Sequence, residues 1–228
     1  MKDTERRGYE MLVRVNEYGT SRAADFPAES AGGQLFASLR AEIDVIEEKA
    51  GEQSSGLNVK REGTATRAIA RENLRRQLEA ISRTASSLAL TGTTPGLENR
   101  FRLPRGNNDQ SLINTARAFA QDAAPLATGF IGFGLPPDFL ANLNTAITEF
   151  EEAIKRQNTG RDTHVTATSA IDEALERGIN TVRQLDAIVH NKYADDLPQL
   201  SAWQSASHVE RSPRRPTPAP PPPTTPAP

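Results

Sequence analysis

The chain has 228 residues, 36% hydrophobic and 25% charged, with 27 basic and 29 acidic side chains and a net charge of −2. The absence of cysteine excludes disulfides, thiolate catalysis and cysteine-ligated zinc, and the near-neutral balance gives nucleic acid or an acidic membrane no global attraction. Aromatics at 5% leave Ala and Leu to fill the interior, which suits closely approaching helices better than sheets.

The opening stretch MKDTERRGYEMLVRV is charged and lacks the apolar core of a signal peptide. Apolar residues then recur at steps of three and four, the period of a helix. Met11, Val15 and Tyr18 mark a short first helix ending near Gly19. Leu35, Leu39, Ile43 and Ile46, with Phe36 beside them, mark a second, which GEQSSG is expected to close. A third runs from about Glu62 to Leu90 on Leu74, Leu78, Ile81, Ala85 and Leu88, and TGTTPG stops it. The second helix is acidic along Glu42, Asp44, Glu47, Glu48 and Glu52, and the third is basic along Arg67, Arg71, Arg75, Arg76 and Arg83. As consecutive helices they are expected to lie antiparallel and pair their rims, with Glu72–Arg76 and Glu79–Arg83 adding support within the third at about 0.2–0.5 kcal/mol each.

A long connection, 91–108, leads to a fourth helix with Asn108 or Asp109 as N-cap. Its stripe, Leu112, Ala116, Phe119, Ala123, Leu126, Phe130 and Phe133, keeps phase through Pro125. Proline there reads as a kink inside a continuing helix. The segment TGFIGFGLPPDF resembles a phosphate-binding loop only superficially. Its glycines run G-x-x-G-x-G rather than G-x-G-x-x-G, and what precedes them is helical. Gly134 suits a left-handed helix end, with an interhelical contact expected at the other glycines. A fifth helix starts at PPDF with proline in its first turn and shows Leu140, Leu143, Ile147, Phe150 and Ile154. A sixth, from about Thr163 to Tyr193, holds a heptad seam at Thr168, Ile171, Leu175, Gly178, Val182, Leu185 and Val189. Gly178 on the seam implies close approach or a kink. A short last helix carries Leu200, Trp203 and Ala206.

These elements define an all-α fold, expected as an elongated up-and-down helical bundle with four long helices, one kinked, and short terminal helices. The bundle domain covers 1–210. Residues 211–228 form a proline-rich tail that cannot bury a core and is expected to be extended and disordered; its PRRP, 213–216, has a P-x-x-P spacing and reads as a solvated tether.

Catalytic patterns fail one by one. GEQSSGLN has the two glycines of a P-loop, but Leu57 and Asn58 stand where lysine and a hydroxyl would reach phosphate and magnesium. A di-iron bundle site needs Glu three residues before His, whereas Arg161, Ala187 and Ser205 precede His164, His190 and His208. His164 and His190 read as groups near the ends of the sixth helix, in capping or surface roles. No G-x-S-x-G elbow occurs. Glu151–Glu152 and Asp195–Asp196 are sequence neighbours, which diverge on a helix. No cofactor, no metal and no enzymatic activity are therefore expected. No stretch approaches the roughly 20 apolar residues that cross a bilayer, so a cytoplasmic location without a membrane partner is the default.

The most informative segment is the long connection, because loops beyond about 12–15 residues in compact domains are often functional. In LENRFRLPRG, Leu97, Phe101 and Leu103 alternate with Arg100, Arg102 and Arg105. The apolar members are expected to anchor the segment and the arginines to form an anion or acidic-partner site near the start of the fourth helix. Together, GGQLFASL, FRLPRG, LPPDFL and LDAIVHNKY with LSAW resemble bacterial helical-bundle proteins of unassigned function. That resemblance implies an all-helical fold and carries over no activity or site residue. The functional expectation is a non-enzymatic interaction or scaffolding bundle with a protein partner. The alternative is a small-molecule-binding bundle with its ligand in a closed apolar cavity near the Pro125 kink.

Overall fold

The computed structural model describes residues 1–91, 96–106 and 108–210. The expectations for the proline-rich tail and its PRRP motif lie outside the described residues, as does part of the TGTTPG stop. The fold is all-α: among the described residues the regular structure consists of helices and one 3₁₀ turn, with no strand. In chain order the helices are α1 (Asp3–Thr20), α2 (Ala31–Ala89), α3 (Leu97–Arg100), α4 (Asp109–Ala123), α5 (Ala127–Gly132), α6 (Phe139–Lys192) and α7 (Leu197–Ser207).

Two expected boundaries do not exist. The second and third helices are one, the 59 residues of α2, and the fifth and sixth are one, the 54 residues of α6. The reason lies in the glycines. A glycine stops a helix by taking a left-handed conformation, and among the described residues only Gly96, Gly106 and Gly134 do so. Gly56, Gly63 and Gly160 stay helical and let α2 and α6 meet backbone to backbone. A Cβ would stand 2.8 Å from His164 N at Gly56, 2.8 Å from Gln157 Cα at Gly63 and 2.5 Å from Lys60 N at Gly160. Close approach offsets the roughly 0.5–1 kcal/mol that a mid-helix glycine costs against alanine.

Fusion of the helices also overturns the expected pairing of an acidic rim with a basic one, since both rims belong to the single helix α2. The charges find other partners. Glu42 accepts two hydrogen bonds from Arg177, each 2.9 Å. Glu47 accepts one from the Tyr9 hydroxyl at 2.7 Å, and that bond, with burial, pushes the hydroxyl up to about 12. Within α2, Glu79 pairs with Arg75 at 3.1 Å rather than with Arg83.

The chain divides into two compact units, Met1–Glu47 with the residues from Ala170 on, and Glu48–Ser169. In the first, α1, α7 and the adjoining parts of α2 and α6 bury Leu12, Val15, Leu39, Ile46, Leu185, Val189 and Trp203. The buried face of α2 here is Phe36, Leu39, Ile43 and Ile46, with Leu35 only half-buried. The seam of α6 is buried at Ile171, Leu175, Val182, Leu185 and Val189, while its first member, Thr168, is half-buried. Gly178 receives Leu12 of α1, whose Cδ1 would lie 2.5 Å from an added Cβ. At the start of α1, Glu5 accepts from the Lys2 backbone N–H at 2.7 Å and pairs with Lys2 Nζ at 2.9 Å. Burial pushes its carboxyl up, but the Lys2 contacts outweigh this and hold it below its ordinary value.

In Glu48–Ser169, α2, α4, α5 and α6 enclose Leu74, Leu78, Ile81, Phe119, Phe130, Leu143 and Phe150. Asn108 caps α4 as expected, its side chain accepting from Ser111 N–H at 3.0 Å. Pro125 does not sit inside a continuing α-helix. Lacking an N–H, it falls in a 3₁₀ turn, Ala124–Leu126, before helix resumes at Ala127. The stripe is buried at Leu112, Ala116, Phe119, Ala123 and Phe130 and half-buried at Leu126, but Phe133 is 49% exposed because α5 has ended. Gly134, at φ +93°, makes the stop, with Leu135 N–H donating to Phe130 O and Gly134 N–H to Ile131 O. This is the expected left-handed terminator. Of the other two glycines, Gly129 alone meets another helix, at Leu88 of α2. The prolines 136 and 137 precede α6 instead of entering its first turn, and Asp138 O accepts the first helical bond, from Asn142 N–H.

Candidate functional site

The segment 96–106 is built as an anchored strap. Gly96 enters α3 in a left-handed conformation, φ +80°. Leu97 and Phe101 are fully buried, and Leu103 packs against the same core. The Phe101 ring lies edge-on to Phe119 at 5.1 Å and to Phe130 at 5.3 Å; such pairs contribute about 0.5–1.5 kcal/mol each beyond area burial. The apolar half of the alternation thus anchors as read.

The arginines divide. Arg100, half exposed, donates to Asp122 of α4 at 2.8 Å, an exposed pair of the kind that contributes about 0–1 kcal/mol. Arg102 and Arg105 are exposed, and among the described residues neither forms an ion pair. The expected help from the start of α4 is already taken. Its first-turn carboxylate, Asp109, is gripped by Arg67, whose Nε donates at 2.8 Å, and by Arg71, whose Nε donates at 3.1 Å. Arg67 Nη1 also donates to Gln157 of α6 at 2.6 Å. This Arg–Asp–Arg clasp ties α2, α4 and α6 together and was not legible in sequence, since its members lie about 40 positions apart.

The space beneath residues 119–133, where the ligand-binding alternative places its cavity, is occupied by Phe101, Phe119, Phe130 and Phe139, with Phe130 and Phe139 at 5.7 Å. A groove of about 540 Å³ runs between α2 and α6, lined by Asn73, Gln77, Ala80, Asn142 and Ala146 among others. It continues toward Ile69 and Ala153.

Four of the other polar groups singled out above, His164, His190, Glu151 and Asp196, have structural places. His164 sits inside α6, not near its end, because α6 starts at Phe139; its Nδ1 donates to Gln53 O at 3.0 Å. His190 is in the last turn of α6 and its Nδ1 lies 2.9 Å from Asp186 O. Glu151 takes Arg117 at 2.6 Å, and Asp196 caps α7 by accepting from Gln199 N–H. Among the described residues no three His, Asp or Glu side chains gather as metal ligands, and no helix is long and apolar enough to cross a membrane. No protein-family model, curated protein or solved structure matches the chain.

Proposed function

We propose that this chain is a non-enzymatic interaction protein of the cytoplasm, in which the strap 96–106 presents Arg100, Arg102 and Arg105 to an acidic protein partner. One observation carries the reading: Phe101 is locked in the aromatic core while the arginines on both sides of it face outward. A rigid anchor lowers the entropy lost when a partner is engaged, and unpaired cations steer an acidic surface toward it. Glu151, Asp196, His164 and His190 are engaged as an ion pair, a cap and helix contacts, which favours a binding role over catalysis.

The test is affinity purification from the native host with the parent chain and with R100Q/R102Q/R105Q. The expected result is an acidic partner that the parent retains, that rising salt releases, and that the triple variant fails to hold. Equal recovery on both chains would remove the arginines from the interface and end the proposal.

A further inference from the structure

The groove of the Glu48–Ser169 unit carries a second heptad pattern, separate from the buried stripes. On α2, Ile69, Asn73, Arg76 and Ala80 follow one another at steps of four, three and four. On α6, Asn142, Thr145, Glu149, Glu152 and Arg156 follow at steps of three and four. This spacing sets each row along one face of its helix, where it can meet a further helix. The floor between them is low, set by Ala70, Ala80, Ala146 and Ala153, so another helix can approach closely. Ile69, in mid-helix, is 73% exposed.

The charges at this face select the occupant. Arg76, Glu149 and Glu152 form no ion pair within the chain among the described residues, although most of their charged neighbours do. Arg76 stands on α2 and Glu149 on α6, and both line the groove along both of its stretches; in the register set by Gly63 and Gln157 they are offset along the helices by about five residues, about 7–8 Å, and each side chain, tilted toward its own helix N-terminus, leans toward the other. The two helices are antiparallel, since Gly63 meets Gln157 while Gly56 meets Gly160 and His164. A two-fold axis along the helices therefore sets α2 of one copy over α6 of the other, antiparallel, at the same level. Each Arg76 then reaches diagonally to the other copy's Glu149, twice in one interface, as an isologous contact requires. An axis across the helices would instead stack α2 on α2 and put arginine against arginine.

We propose that the α2–α6 groove is a self-association surface that takes a second copy of this chain, forming a four-helix seam with reciprocal Arg76–Glu149 pairs. The proposal stands apart from the arginine strap, which lies on different elements.

Sedimentation equilibrium of the full chain tests it. The expected result is reversible association to twice the 24.8 kDa chain mass. R76E and E149R, both at exposed positions, should each raise the dissociation constant by about tenfold or more by placing like charges opposite each other. The R76E/E149R double variant should recover the parent constant, because the two-fold restores opposite signs. Helical circular dichroism should be unchanged in all three, and R100Q/R102Q/R105Q should associate like the parent. A chain that stays at 24.8 kDa at high micromolar concentration overturns the proposal. So does a dimer indifferent to the single reversals, and so does a double variant that fails to recover.

Discussion

Replacing Trp203 by alanine should lower the unfolding free energy by about 3–5 kcal/mol, the range for truncating a large buried aromatic. The ring has no exposed surface. It meets Tyr18 edge-on at 5.2 Å, and its Nε1 donates to Asp186 Oδ1 at 2.7 Å. One side chain thus joins α7 to α1 and α6. Truncation leaves a cavity that three helices must close, so the loss should appear in urea denaturation followed by circular dichroism. Trp203→Phe keeps most of the ring contact and loses the hydrogen bond, so it should cost about 1–2 kcal/mol. Asp186 is half exposed and can turn to water, which keeps the smaller figure small. An alanine variant as stable as the parent would show that α7 does not complete this core.

Phe101→Ala should cost a similar amount, about 3–5 kcal/mol, in the Glu48–Ser169 unit, and it should also free the strap. Phe101 is the centre of the aromatic chain from Phe119 through Phe130 to Phe139. Beyond the smaller anchors Leu97 and Leu103 its segment has little to hold it: α3 is four residues long and the Arg100–Asp122 pair is exposed. Limited trypsin digestion separates this from a general loss of stability. Cleavage after Arg102 and Arg105 should accelerate in the variant under conditions where the helices remain uncut. Unchanged cleavage there would mean that Leu97 and Leu103 suffice as anchors. On the proposed function, the same variant weakens partner binding without removing any arginine.

Helical class was legible because burial follows the period: Leu74, Leu78, Ile81 and Ala85 on α2 and Ile171, Leu175, Val182 and Leu185 on α6 are buried as the spacing requires. Helix ends were not, because one residue type serves two purposes. Gly134 and Gly56 look alike in a sequence, yet the first reverses the chain at positive φ and the second admits a neighbouring backbone. The distinguishing signal was present. Pro136 and Pro137 follow Gly134, whereas no proline follows Gly56 or Gly160 before the helix has run on for several turns. The strap was legible as an alternation of anchors and arginines. Its partner Asp122 was not, since a pairing across 22 positions needs the fold. The groove is not legible in the sequence because Ile69 falls outside the stripe of Leu74 and Leu78, and only the fold brings its neighbours on α6 beside it.

The fold rests on α2 and α6 running unbroken past their glycines and touching there. Backbone NMR assignment tests this most directly. Helical Cα shifts should continue without interruption through residues 48–64 and 154–168, with NOE cross-peaks between the backbone protons of Gly56 and those of Gly160 and His164. Coil-like shifts across 51–56, with those cross-peaks missing, would contradict it.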